Sequence, residues 1–128
     1  MTLSAHQLAT DLHVENTSTT ATLEFQALLH TYIRAPADAV KVSPLQGLQY
    51  IDKTEASEEA RATPKTEIRN EVDVKVFTDS VYENAPGKYH ITWPNGGLEV
   101  KAKNFKDLVI WNPQQEGQKI GDMEADGW

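Results

Sequence analysis

Cysteine is absent from the 128 residues, which excludes disulfides, zinc–thiolate sites, iron–sulfur clusters and thiol catalysis. Apolar runs are short, and none approaches the roughly 18 residues of a membrane span, so no membrane partner is expected. The opening stretch MTLSAHQLATDLHVENTS has neither the basic nor the apolar region of a secretory signal. A cytoplasmic protein is the expectation. Cationic side chains are also scarce: 12 Lys and Arg against 19 Asp and Glu leave a net charge of −7 and a pI near 5.0. Such a surface repels phosphate backbones and anionic lipid, so no nucleic-acid partner is expected, although a local basic pocket for one small anion stays compatible. Internal repeats, heptads and low-complexity tracts are missing as well. What is left is the length of one ordinary domain, able to bury roughly two thirds of its unfolded surface.

The apolar residues that are present alternate, with turn signals at close intervals. Thr22 to Arg34 (TLEFQALLHTYIR) is the clearest predicted strand, although its length calls for a bend or bulge. It sets Leu23, Phe25, Ala27, Leu29, Thr31 and Ile33 on one face and Glu24, Gln26, Leu28, His30, Tyr32 and Arg34 on the other. One face suits a core and the other a wet cleft. Ala9 to Glu15 reads as its partner across the turn ENTSTT. Ala39 to Val42 is a short strand between Pro36 and Pro44, and Val72 to Phe77 alternates again. Lys88 to Trp93 and Gly97 to Lys103 flank Pro94-Asn95-Gly96, a strong hairpin turn. Phe105 to Trp111 is the most apolar strand. Thr54 to Thr66 is polar and Pro-interrupted and reads as an exposed loop; the residues after Trp111 read as an acidic loop. The predicted class is all-β, an antiparallel β-sandwich.

Several residue types here carry chemistry. His30, among Gln26, Leu28, Tyr32 and Arg34, titrates near neutral pH and is able to move a proton on a substrate oxygen. A half-buried histidine bonded to a neighbouring strand is the competing reading, and the residues alone favour it. His6, His13 and His90 show no metal-ligand spacing, so no metal is expected. Asp79, in FTDSVYENA, sits after a strand and before a Pro-Gly turn. A carboxylate there holds sugar hydroxyls or raises a nearby histidine pKa, whereas capping its own turn is the commoner fate. Tyr82 and Trp111 offer flat apolar faces to a pyranose ring or belong to the core. Asn112, before Pro113, is a turn residue or a ligand hydrogen-bonder. Glu116, Asp122, Glu124 and Asp126 crowd the tail without the spacing of a calcium loop, which favours a solvated acidic loop. Asn16-Thr17-Ser18 matches a glycosylation sequon and reads as a turn.

Taken together, the strings LEFQALLHTYIRAP, PLQGLQYIDKT, VDVKVFTDSVYENAPGKYHITWP, VIWNPQ and IGDME resemble the fungal glucose-6-phosphate 1-epimerases. These are hexose-6-phosphate mutarotases of the aldose 1-epimerase (galactose mutarotase-like) superfamily. The likeness runs from about Leu8 to Trp128 with the H-x-Y, G-x-x-Y-x-D, D-S-V-Y and W-N-P elements in the family's order. It implies a large β-sandwich that interconverts the α and β anomers of glucose 6-phosphate without a cofactor. A histidine protonates the ring oxygen while a glutamate takes the anomeric hydroxyl proton, a pairing that needs two pKa values held apart. By match of motif, His30 is the general acid, and Asp79 binds sugar hydroxyls and supports it. Tyr32, Gln26 and Asn112 are the further expected substrate contacts.

The resemblance also implies what to expect of the chain as a whole. The family's catalytic glutamate follows the D-G-W-like segment, and its phosphate-binding basic residues lie in an N-terminal half without a counterpart here. A single, incomplete sandwich domain over residues 1–128, weak or inactive as an epimerase, is therefore expected. A homodimer covering the open sandwich face is the simplest compensation for absent strands. Glu83, Glu116, Asp122 and Glu124 are the carboxylates on offer as a replacement base; Arg34 and Lys53 are the available cations. The alternatives are a non-catalytic protein that binds carbohydrate or sugar phosphate, and a small isomerase or cyclase that reuses the scaffold.

Overall fold

A computed structural model describes residues 1–121. The chain divides into two compact units, Met1–Tyr32 and Ile33–Trp128. In the first, β1 (Thr2–Leu3) and β2 (Leu8–Ala9) form a two-stranded antiparallel ribbon with Thr2 opposite Ala9 and Leu3 opposite Leu8. The Ser4 amide closes it by donating to the Gln7 carbonyl at 2.8 Å. The ENTSTT turn is present: Asn16 Nδ2 donates to the Ala21 carbonyl at 2.8 Å, and Ser18 Oγ accepts from the amides of Thr20 and Ala21.

The strand predicted over Thr22 to Arg34 does not form. Residues 22–34 have no regular secondary structure and are exposed throughout, Phe25 and Leu28 included. Its predicted partner, Ala9 to Glu15, shrinks to the end of β2, which pairs with β1 instead. Alternation marks a segment fit for a sheet, but a strand exists only where a neighbour takes its backbone N–H and C=O groups. No described strand pairs with residues 22–34.

The second unit is an antiparallel sandwich. Its strands are β3 (Lys41–Ser43), β4 (Gln49–Asp52), β5 (Lys65–Thr66), β6 (Val72–Asp73), β7 (Thr78–Tyr82), β8 (Lys88–Trp93), β9 (Gly96–Lys101) and β10 (Leu108–Asn112). They build two four-stranded sheets, in the orders β10-β7-β4-β5 and β6-β3-β8-β9. The core between them holds Val42, Val72 and Tyr89 from one sheet, Tyr82 and Ile110 from the other, and Val40, Leu45 and Val74 from the connections. The hairpin at Pro94-Asn95 forms as predicted. Trp93 pairs with Gly96, and Asn95 takes the positive φ of 66° that a two-residue turn requires. Gly87 also needs its positive φ of 73°, and a Cβ there would sit 2.8 Å from the Ala102 carbonyl oxygen.

Three other expectations shift. Thr54 to Thr66 is exposed but not all loop, since Glu58–Ala62 forms a short helix, α1. Ser57 caps it by accepting from the Ala60 amide at 3.1 Å, Glu58 and Glu59 lie in the first turn, and Arg61 closes on the Glu55 carbonyl. Val72 to Phe77 pairs only over its first two residues, and the longer strand begins at Thr78. The acidic tail opens with a 3-10 helix, Gln114–Lys119, in which Glu116 pairs with Lys119. Asp122, Glu124 and Asp126 lie outside the described residues.

One buried polar network ties the β10-β7-β4-β5 sheet to the chain beyond β5. The Glu67 side chain is 2% exposed and receives Arg69 at both oxygens, Nε to Oε1 at 2.8 Å and Nη2 to Oε2 at 2.7 Å. The Tyr82 hydroxyl donates to Oε2 at 2.7 Å, and the Arg69 amide donates to Oε1 at 2.9 Å. Burial pushes the Glu67 carboxyl up, and these donors more than reverse it, holding it at about 2. Burial also raises the Tyr82 phenol, so the hydroxyl keeps its proton and remains the donor.

Candidate functional site

Alternation along β7 sends Thr78, Ser80 and Tyr82 inward and leaves Asp79 and Val81 on the outer face. Asp79 therefore lies within a strand, not after one, and it is not the turn cap that the residues alone favoured. Its cross-strand partner on β10 is Trp111. On the other side the Lys53 amide donates to the Asp79 carbonyl at 2.8 Å, which extends the β4 register and places Lys53 beside it. Val81 stands between Ile51 and Val109 on the same face. The site is thus a carboxylate flanked by an indole and an ammonium group, on an apolar floor. Burial raises the Asp79 carboxyl, the Lys53 charge pulls it back, and the nearby Asp52 charge adds to the rise, for a net upward shift. A carboxylate whose ionised form is disfavoured attracts donors, and sugar hydroxyls are of that kind.

Asn112 sits on β10 one residue beyond Trp111, opposite Thr78. Its Oδ1 accepts from the Gln114 amide at 2.9 Å, so the turn role is present. Tyr82 is fully buried, which settles it as core. Trp111 is half-buried.

His30 and Tyr32 belong to the Met1–Tyr32 unit and lie close together, ring centroids 4.9 Å apart and planes tilted by 36°. Both are exposed, as is Gln26. His30 is neither mid-strand nor half-buried, because the strand that would have held it is not formed. The structure thus pairs His30 with Tyr32 and Asp79 with Trp111, whereas Asn112, opposite Thr78, lies on the other face of the same sheet.

From the sequence Lys53 is only an available cation, and its place beside Asp79 comes from the β4–β7 register. The usable signal was the period-two repeat of the Y-I-D-K segment, which puts Ile51 and Lys53 on one face. No group of three or more His, Asp or Glu able to hold a metal ion occurs among the described residues.

The fold defines the class, an all-β antiparallel sandwich with a polar patch around Asp79 on the outer face of one sheet. The chain belongs to the aldose 1-epimerase family, whose model matches residues 1–128. A mutarotase-type function with a small-molecule sugar as partner goes with that membership. No solved structure matches the chain at a significant level.

Proposed function

We propose that the sugar is a hexose 6-phosphate, glucose 6-phosphate in the first instance, and that the reaction is exchange of its α and β anomers. The observation that carries this reading is Asp79, a half-buried carboxyl with a raised pKa beside Lys53 and Trp111. Asp79 takes the sugar hydroxyls, Trp111 offers a flat face, and Lys53 is the cation presented to the phosphate. By the family resemblance Tyr32 and Gln26 are assigned further contacts with the sugar, whereas Asn112, opposite Thr78, shares the inward face of the sheet and not the face of Asp79. His30 protonates the ring oxygen while the anomeric hydroxyl loses its proton to a base that is left unassigned. The bond from C1 to the ring oxygen breaks, and the open aldehyde rotates about C1–C2. The ring oxygen then adds back to the other face of the aldehyde and returns its proton to His30, while the base returns its proton to the carbonyl oxygen, which becomes the new anomeric hydroxyl.

Turnover is expected to be slow. An acid contributes fully only when held on a rigid element, and His30 lies on an exposed segment without strand pairing. Self-association belongs to the same reading: β10 is an edge strand without a charged residue, and a second copy of the chain pairs along that edge in a homodimer.

The test is anomer exchange of glucose 6-phosphate by NMR, with glucose in parallel and the sample sized in solution. Exchange above the spontaneous background is expected, greater for the phosphate ester, lost in His30→Ala and weakened in Asp79→Asn. Exchange at background in a folded sample, or exchange indifferent to both substitutions, refutes the assignment.

A further inference from the structure

The inner face of β7 meets a second recess. A cleft of about 200 Å³ opens there, lined by Tyr50, Asp52, Thr54, Arg69, Thr78 and Ser80, with Val76 and Phe77 at its mouth. That volume lies below the roughly 300–1,000 Å³ of pockets for drug-sized ligands, which limits an occupant to about the size of one monosaccharide.

The chemistry of the lining narrows it further. Of the five N–H donors of a guanidinium, Glu67 takes two from Arg69, which leaves three. Those three make no hydrogen bond to the described residues, and the Arg69 side chain is 43% exposed. Glu67 therefore fixes the guanidinium in place and neutralises it, while its free edge still donates. Asp52 is balanced in the same way: Oδ2 accepts from Lys65 at 2.9 Å, and Oδ1 accepts from both the Thr54 amide and hydroxyl. A carboxylate offers about four acceptor positions, so the remaining acceptor position is on Oδ2. Ser80 and Thr78 add hydroxyls, and the Tyr50 ring, stacked on Tyr82 at 5.1 Å, adds a flat wall.

With both charges paired, the recess offers an anion little net attraction. A fixed planar donor, a spare acceptor, hydroxyls and an aromatic wall instead suit a ring bearing several neutral hydroxyls. We infer that the recess between Arg69, Ser80 and Tyr50 is a second ligand site, taking one neutral hexose-sized sugar on the face of β7 opposite Asp79. It stands independently of the activity assigned to the Asp79 face.

The test is titration of the isotope-labelled full chain with D-glucose, and separately with inorganic phosphate, up to tens of millimolar, followed by amide NMR. Saturable glucose shifts at Thr54, Thr78 and Ser80 are expected, with none there from phosphate. Arg69→Lys keeps the charge beside Glu67 but removes the spare donors, and it is expected to weaken binding by about tenfold or more. Ser80→Ala, which leaves the buried pair intact, is expected to weaken it by about fivefold. Four results overturn the inference: no saturation, shifts that map elsewhere, phosphate taking the recess while glucose does not, or both variants titrating like the wild type.

Discussion

Replacing Glu67 by Gln removes one charge from a buried pair and changes almost nothing in shape. In the folded chain the carboxyl is held at about 2 against an ordinary 4.5. Ionised Glu67 is thus favoured by folding, and the gap is worth about 3 kcal/mol. Because the folded pKa is the lower one, this contribution is complete above about pH 4.5 and lost as the pH falls toward about 2. A neutral glutamic acid and a glutamine are near-isosteric, so the two proteins should converge in acid. Arg69 is partly exposed and recovers water when its partner is neutralised, which keeps the loss near the low end of the roughly 3–5 kcal/mol for breaking a buried pair. Against a typical total of about 5–15 kcal/mol, that is readily measured. The assay is urea unfolding followed by tryptophan fluorescence, with wild type and Glu67→Gln compared across the acid range. A deficit of about 3 kcal/mol near neutrality that closes toward about pH 2 is expected. Tyr82→Phe, which removes one donor to the carboxylate, should lose roughly 1.5–3 kcal/mol. A deficit that stays constant with pH, or a Gln variant as stable as the wild type near neutrality, would refute the account of the network.

Two further outcomes follow from single residues. Asp79 has its folded pKa raised, chiefly by burial, so its ionisation costs stability as the pH rises through that value; Asp79→Asn should unfold at higher urea than wild type near neutrality and equal it in acid, while its sugar exchange is weakened. Gly87→Ala combines a left-handed backbone with a Cβ 2.8 Å from a carbonyl oxygen, and a loss of about 2 kcal/mol is expected in the same urea assay.

What was legible in the sequence depended on how local its cause is. The Pro94-Asn95 hairpin was readable because turn chemistry is settled within a few residues. The class was readable because β3, β8, β9 and β10 each leave an apolar stretch close to where they form. Residues 22–34 have the strongest alternation in the chain and form no strand, since pairing is a property of a neighbour. The helix at Glu58–Ala62 was missed because the lack of apolar anchors outweighed a good cap, although Ser57 with Glu58 and Glu59 was in plain view. Asp79 was found through its motif, but its position on a strand face, with Trp111 and Lys53 beside it, comes from registers among three strands. Glu67 and Arg69 drew no attention in a polar stretch. In an extended segment, side chains two apart share a side, and only the distant Tyr82 shows that this side is buried.

The two sheets guard their margins unequally. Strand β9 carries Glu99 between Lys88 and Lys101, at 2.9 and 3.0 Å. Strands β5 and β6 are two residues long, and each holds one member of an ion pair. Strand β10, Leu-Val-Ile-Trp-Asn, has five residues and no charge. Charged or very short margins discourage further strands, and a longer neutral margin invites them. Among the described residues of the two sheets, β10 is the one margin of that kind, a single docking valence. Were two copies to join there about a twofold axis, each would satisfy the other's open edge, and growth would end at two instead of running on into a filament.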